Sequence, residues 1–132
     1  MVDVSKFLPV YFEESAEKLA VLESGLRTLG QGLDAEVLEQ TTRAVHSIKG
    51  SSGTFGFDDV CTLALAIEDL LWHVSKGQLA LNSQVFATCF EATAMLGDVI
   101  RMHQDKQGVP ADKLDGMVGK LKALITAGML AD

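Results

Sequence analysis

The chain has 132 residues, 48% hydrophobic and 22% charged, with a formal net charge of −7. That length and apolar content fit one globular domain with its own core, and exclude a disordered chain or two full domains. The acidic balance makes nucleic acid and anionic membrane poor partners, because their phosphates would be repelled.

No apolar run approaches the ~20 residues of a membrane-spanning helix. The first residues, Met1 to Lys6, lack the basic stretch and apolar core of a signal peptide. The 2 cysteines make no disulfide framework and fit free thiols in a reducing compartment, which points to the cytoplasm.

Apolar residues recur at spacings of three and four, the mark of amphipathic helices. A first helix is expected over about residues 5–29, with Phe12, Leu19, Leu22, Leu26 and Leu29 as its stripe and Gly30-Gln31-Gly32 as its end. Asp34 caps a second helix whose inward face is Val37, Thr41, Ala44 and Ile48. The segment Gly50 to Gly56 either ends this helix or lies in its last turns. A third helix runs from about Asp58 to Lys76, with Val60, Leu63, Ile67, Leu70, Leu71 and Val74 inward. Asn82 caps a fourth, with Val85, Phe86, Phe90, Leu96, Val99, Ile100 and His103 near one side. After the turn Gln107-Gly108-Val109-Pro110, a fifth and shorter helix carries Leu114, Met117, Val118, Leu121, Leu124 and Ile125. No strand pattern is present. Short loops between long helices predict an all-α fold, an antiparallel up-and-down four-helix bundle with an additional C-terminal helix.

Much chemistry is excluded. No Glu-x-x-His or His-x-x-x-His pair exists, so neither a di-iron nor a zinc site is expected, and no metal ligand is assigned. Cys61 and Cys89 stand alone and read as small buried hydrophobes. His73 and His103 read as a partly exposed helix residue and a core-edge residue. Glu13, Glu14 and Glu17 read as a solvated face favoured by the helix dipole.

One segment stands apart, His46-Ser47-Ile48-Lys49-Gly50-Ser51-Ser52-Gly53-Thr54-Phe55-Gly56. Each helical residue advances ~100°, so Ile48 lies ~200° from His46. With Ala44 and Ile48 inward, His46 must face solvent. Glu39, Thr42, Arg43, Lys49, Gly50 and Gly53 share its face. The surface around His46 is polar and cationic and, on its C-terminal side, nearly bare. Glycine within a helix costs ~1 kcal/mol relative to alanine, so two beside an exposed histidine suggest that something approaches the backbone closely.

This segment, with Gly53-Thr54-Phe55-Gly56-Phe57, closely resembles the phosphorylation-site motif of histidine phosphotransfer (HPt) domains, most of all those at the N-terminus of chemotaxis histidine kinases. The likeness extends to Arg43-Ala44 before it and to Glu68-Asp69-Leu70-Leu71 and Lys76-Gly77 after it, and so covers nearly the whole chain. The resemblance implies that His46 accepts a phosphoryl group at Nε2. It implies that Glu68 accepts a hydrogen bond from Nδ1–H and fixes the tautomer, and that Lys49 offsets charge on the phosphoryl oxygens. Arg43, Gly50 and Gly53 would meet partners. Chemotaxis-kinase domains often carry a second histidine where this chain has Leu65, which changes the hydrogen-bond network around His46.

The resemblance further implies that residues 1–132 are a single HPt domain, complete or the N-terminal piece of a longer kinase, phosphorylated in cis or in trans. The partners are a histidine kinase catalytic domain and a response-regulator receiver. ATP and Mg²⁺ belong to those partners, and this domain holds no cofactor. A monomer is expected, because the bundle accounts for the apolar stripes. The alternative is a non-catalytic helical adaptor that binds a signalling partner through its acidic surface. An enzyme with its own turnover fits least, since no set of nucleophile, base and oxyanion donors can be assembled.

Overall fold

Oδ1 of Asp34 accepts from the backbone N–H groups of Glu36 and Val37 at 2.9 and 3.1 Å, and Oδ1 of Asn82 accepts from that of Val85 at 2.9 Å. Both helix starts read from the sequence are thus capped by side-chain oxygens. The computed structural model describes residues 3–130, and these form a 3₁₀ turn, Ser5–Phe7, and five helices: α1 (Leu8–Leu29), α2 (Ala35–Thr54), α3 (Asp58–Ser75), α4 (Ser83–Gln104) and α5 (Ala111–Leu130). Among the described residues there is no strand.

The first α-helix starts three residues later than expected. Pro9 lacks the N–H that would have bonded the carbonyl of Ser5, so Ser5–Phe7 close on a 3₁₀ bond from Leu8 instead. Within the first turn of α1 the missing donor costs nothing.

α1 packs on α2, α2 on α3, α3 on α4 and α4 back on α1, which closes the four-helix ring; α5 lies against α3 and α4. The inward residues expected of α3 are all buried, and Leu22, Leu26, Ile48, Leu63, Ile67, Leu70, Leu71, Leu96 and Leu121 are fully so. Each such side chain contributes about 1.5–3 kcal/mol of burial free energy. α1 and α2 approach closely at Gly25, where a Cβ would lie 2.0 Å from Oγ1 of the buried Thr41.

α5 corrects the expectation of a shorter helix: it has 20 residues, as many as α2. Its stripe, Leu114 to Ile125, joins the common core. Its last turn is held by close packing, since a Cβ at Gly128 would come within 2.2 Å of the Leu79 side chain. Phe86 and Phe90 are only partly buried: Phe86 packs over Gly30, and Phe90 lies beneath the Arg27 guanidinium at 5.5 Å.

Candidate functional site

Ala44, Val45 and Ile48 anchor one side of α2 in the core, which turns His46 outward with its side chain 65% exposed. The α2–α3 connection reverses the chain at Gly56, whose φ of +74° suits glycine, with Gly56 N–H donating to Gly53 at 3.1 Å and Phe57 N–H to Ser52 at 3.0 Å. His46 and Glu68 lie eleven residues on either side of Phe57, so the antiparallel pair brings them level.

Nδ1 of His46 is 2.5 Å from Oε2 of Glu68, and Nζ of Lys49 donates to Oε1 of the same carboxylate at 2.6 Å. Burial pushes the Glu68 carboxyl up, but the hydrogen bonds from Lys49 and His46 outweigh it and hold the group below its ordinary value. An ionised carboxylate only accepts, so Nδ1–H is the donor of this bond and Nε2 is the ring nitrogen left facing solvent. The site therefore presents an imidazole oriented through Nδ1, with its outer nitrogen turned to solvent.

Gly50 and Gly53 lie inside α2, in its last turns, and do not end it. A Cβ at Gly50 would meet nothing within 4 Å, and one at Gly53 only Sγ of Cys61 at 3.7 Å. The fold itself does not require glycine at either position. Their backbone is left bare of side chains beside His46.

Arg43 shares this face and bonds Glu39 one turn earlier rather than His46. It lines a groove of about 460 Å³ between α2 and α3, with Leu38, Thr42, His46 and Glu68. The groove continues over α3 along Leu65, Asp69 and Trp72. Leu65 and Trp72 are exposed, and Lys76 lies over the indole at 5.7 Å. Leu65 adds no polar group to the network that Glu68 centres.

The other histidines are engaged differently. Nδ1 of His73 is 2.8 Å from the Asp69 carbonyl oxygen, and Nε2 of His103 meets both oxygens of Asp59. Cys89 is buried and its thiol is pushed up to about 12, which makes it inert. Sγ of Cys61 donates to the Lys49 carbonyl at 3.3 Å. Among the described residues no three His, Cys, Asp or Glu side chains converge as a metal site, and no helix is long and apolar enough to cross a membrane.

One contact escaped the sequence reading. The buried hydroxyls of Tyr11 and Ser52 lie 2.7 Å apart, tying α1 to the glycine-rich end of α2. Tyr11 and Ser15 continue the Leu19-Leu22-Leu26 stripe backwards at helical spacing, and that was the available signal.

A family model described as Hpt domain matches residues 6–123. The chain is 35% identical over 124 residues to the chemotaxis protein CheA of Rhizobium meliloti, covering 93% of this chain and 16% of that protein. It is 30% identical over 124 residues to CheA of Salmonella typhimurium, covering 93% and 18%. It thus spans under a fifth of the length of these relatives. Its fold is similar to the phosphorylated P1 domain of CheA3 in complex with CheY6 from R. sphaeroides, with TM-score 0.82, 22% identity, and coverage of 92% of this chain and 97% of the other. The solution structure of the histidine phosphotransfer domain of CheA is similar at TM-score 0.79 and 23% identity, with 92% of each chain covered.

Proposed function

The chain belongs to the Hpt domain family, and from that premise we propose that it is a phosphorelay intermediate of a chemotaxis-type two-component system. His46 is the phosphoacceptor. Its Nε2 lone pair attacks the γ-phosphorus of ATP held by a histidine kinase catalytic domain. The Nε2–P bond forms, the bond to the β-phosphate oxygen breaks, and ADP leaves. The ring keeps its Nδ1 proton, so positive charge develops on it, and the Glu68 carboxylate faces that charge. An aspartate of a response-regulator receiver then attacks the phosphorus, and His46 leaves as neutral imidazole.

One observation carries this reading: an exposed His46, its Nδ1 engaged by Glu68, stands beside two glycines that packing does not require. Lys49 has three donors, and can hold Glu68 while offsetting charge on the phosphoryl oxygens. Arg43, Gly50 and Gly53 form the contact surface for partners. The bundle supplies position, and phosphoryl transfer asks for little covalent machinery. ATP and Mg²⁺ belong to the partner domains. The solved complex of a CheA3 P1 domain with CheY6 supports a receiver as the acceptor. On this reading residues 1–132 are one cytoplasmic, monomeric Hpt domain, whole or part of a longer kinase.

The test is incubation with radiolabelled ATP and a chemotaxis-type kinase catalytic domain, wild type against His46→Gln. The expected label is lost in acid, stable in alkali, absent from the variant and passed to a receiver. Folded wild type that takes no label would favour the adaptor; label persisting in His46→Gln would move the site elsewhere.

A further inference from the structure

We infer that Tyr11 is a positioning residue for phosphoryl exchange with the receiver, acting through Ser52 on the glycine turns beside His46. The inference rests on the relay reading above. α2 closes on Gly50-Ser51-Ser52-Gly53, residues that favour helix poorly. Such a turn frays unless tertiary contacts hold it.

Ser52 collects those contacts. It is fully buried, its hydroxyl meets that of Tyr11 at 2.7 Å, and its carbonyl accepts from the N–H groups of Phe55 and Phe57 at 3.2 and 3.0 Å. Tyr11 is 3% exposed, and its ring lies 5.0 Å from that of Phe55, 5.1 Å from that of Phe12 and 5.4 Å from that of Phe57. Burial raises its phenol pKa, and the bond with Ser52 offsets only part of that, so the hydroxyl keeps its proton at neutral pH.

From the other side, Cys61 of α3 reaches the Lys49 carbonyl. The last two turns of α2 are therefore held by both neighbours. Tyr11 makes no hydrogen bond to the His46–Glu68–Lys49 network. What Tyr11 sets is the height and tilt of the backbone at Gly50 and Gly53, the surface that a receiver must meet. In-line transfer tolerates misplacement poorly, since about 1 Å can cost ~100-fold.

The experiment compares wild type with Tyr11→Phe, Ser52→Ala and the double variant, each labelled through the kinase domain. A single variant leaves one buried hydroxyl without its partner; the double removes both, so its melting temperature returns toward wild type. Transfer of label to a CheY-type receiver is expected to slow on the order of tenfold in all three, the double included. Spontaneous loss of label without receiver, which reads only the chemistry at His46, is expected to stay at the wild-type rate. Transfer that recovers together with melting temperature in the double variant overturns the inference, as does unchanged transfer in all three. Should a single variant fail to fold, the double carries the test. Failure of wild type to take label condemns the relay reading itself, a separate outcome.

Discussion

Nε2 of His103 lies 2.7 and 2.9 Å from the two oxygens of Asp59, joining the end of α4 to the start of α3. His46 is bonded through the opposite nitrogen, Nδ1 to Glu68. The two histidine–carboxylate pairs look alike in composition but differ in which nitrogen they leave free. At His46 the outer nitrogen faces solvent; at His103 that nitrogen is occupied, and the ring is stacked on Phe57 at 4.2 Å.

His103→Ala should therefore leave phosphorylation intact and lower stability. Loss of the hydrogen bond and the ring contact should cost about 1–3 kcal/mol. That is several degrees in melting temperature for a chain of this size. Label stoichiometry and a thermal melt on the same sample check both halves. A loss of label from the folded variant would contradict the assignment.

Glu68→Gln keeps an acceptor for Nδ1–H but removes the charge opposite the developing imidazolium. Initial rates of label incorporation should fall on the order of tenfold, and those of Glu68→Ala nearer ~100-fold. Nitrogen-15 shifts of the His46 ring should show the Nδ1–H tautomer dominant in wild type and a mixture in Glu68→Ala.

Acid stability should carry the signature of the same carboxylate. Glu68 sits below its ordinary value in the folded chain, so its bonds contribute fully above the unfolded value near 4.5 and are lost as pH falls through the lower folded value. The stability gap between wild type and Glu68→Gln should narrow as pH falls below the unfolded value near 4.5. Denaturant titrations at stepped pH would read it. A gap that closes nearer neutrality would mean that another group controls the pair.

Two glycine-to-alanine changes should have opposite signs. Gly50→Ala has open space for its Cβ and should stabilise the chain by up to about 1 kcal/mol, while slowing transfer to a receiver. Gly25→Ala would drive a Cβ into Thr41 and should destabilise by about 1–3 kcal/mol. Chemical denaturation of both, with a transfer assay on Gly50→Ala, tests the claim that the bare turn serves docking rather than folding.

The bundle was largely legible because local chemistry and global packing agree. Asp34 and Asn82 cap where they should, and the stripe of α3 needs no tertiary information. The outward placement of His46 followed from helical geometry once Ala44 and Ile48 were turned inward. The length of α5 did not follow, because its final turn depends on Leu79 meeting Gly128. Nor did the grip of Lys49 on Glu68: periodicity places Lys49 beside His46 but cannot say what lies across the groove. Tyr11 stayed hidden because its ring reads as one more apolar residue, whereas its hydroxyl acts on a helix 41 positions away in the chain.

The single tryptophan, Trp72, stands half-exposed on the groove that runs past Glu68. Its emission depends on the polarity around the indole, and any protein settling over that groove must displace water from it. The unmodified chain thus carries its own optical probe, and encounters with a kinase or a receiver that lacks tryptophan can be timed by stopped-flow fluorescence before any phosphoryl group has moved.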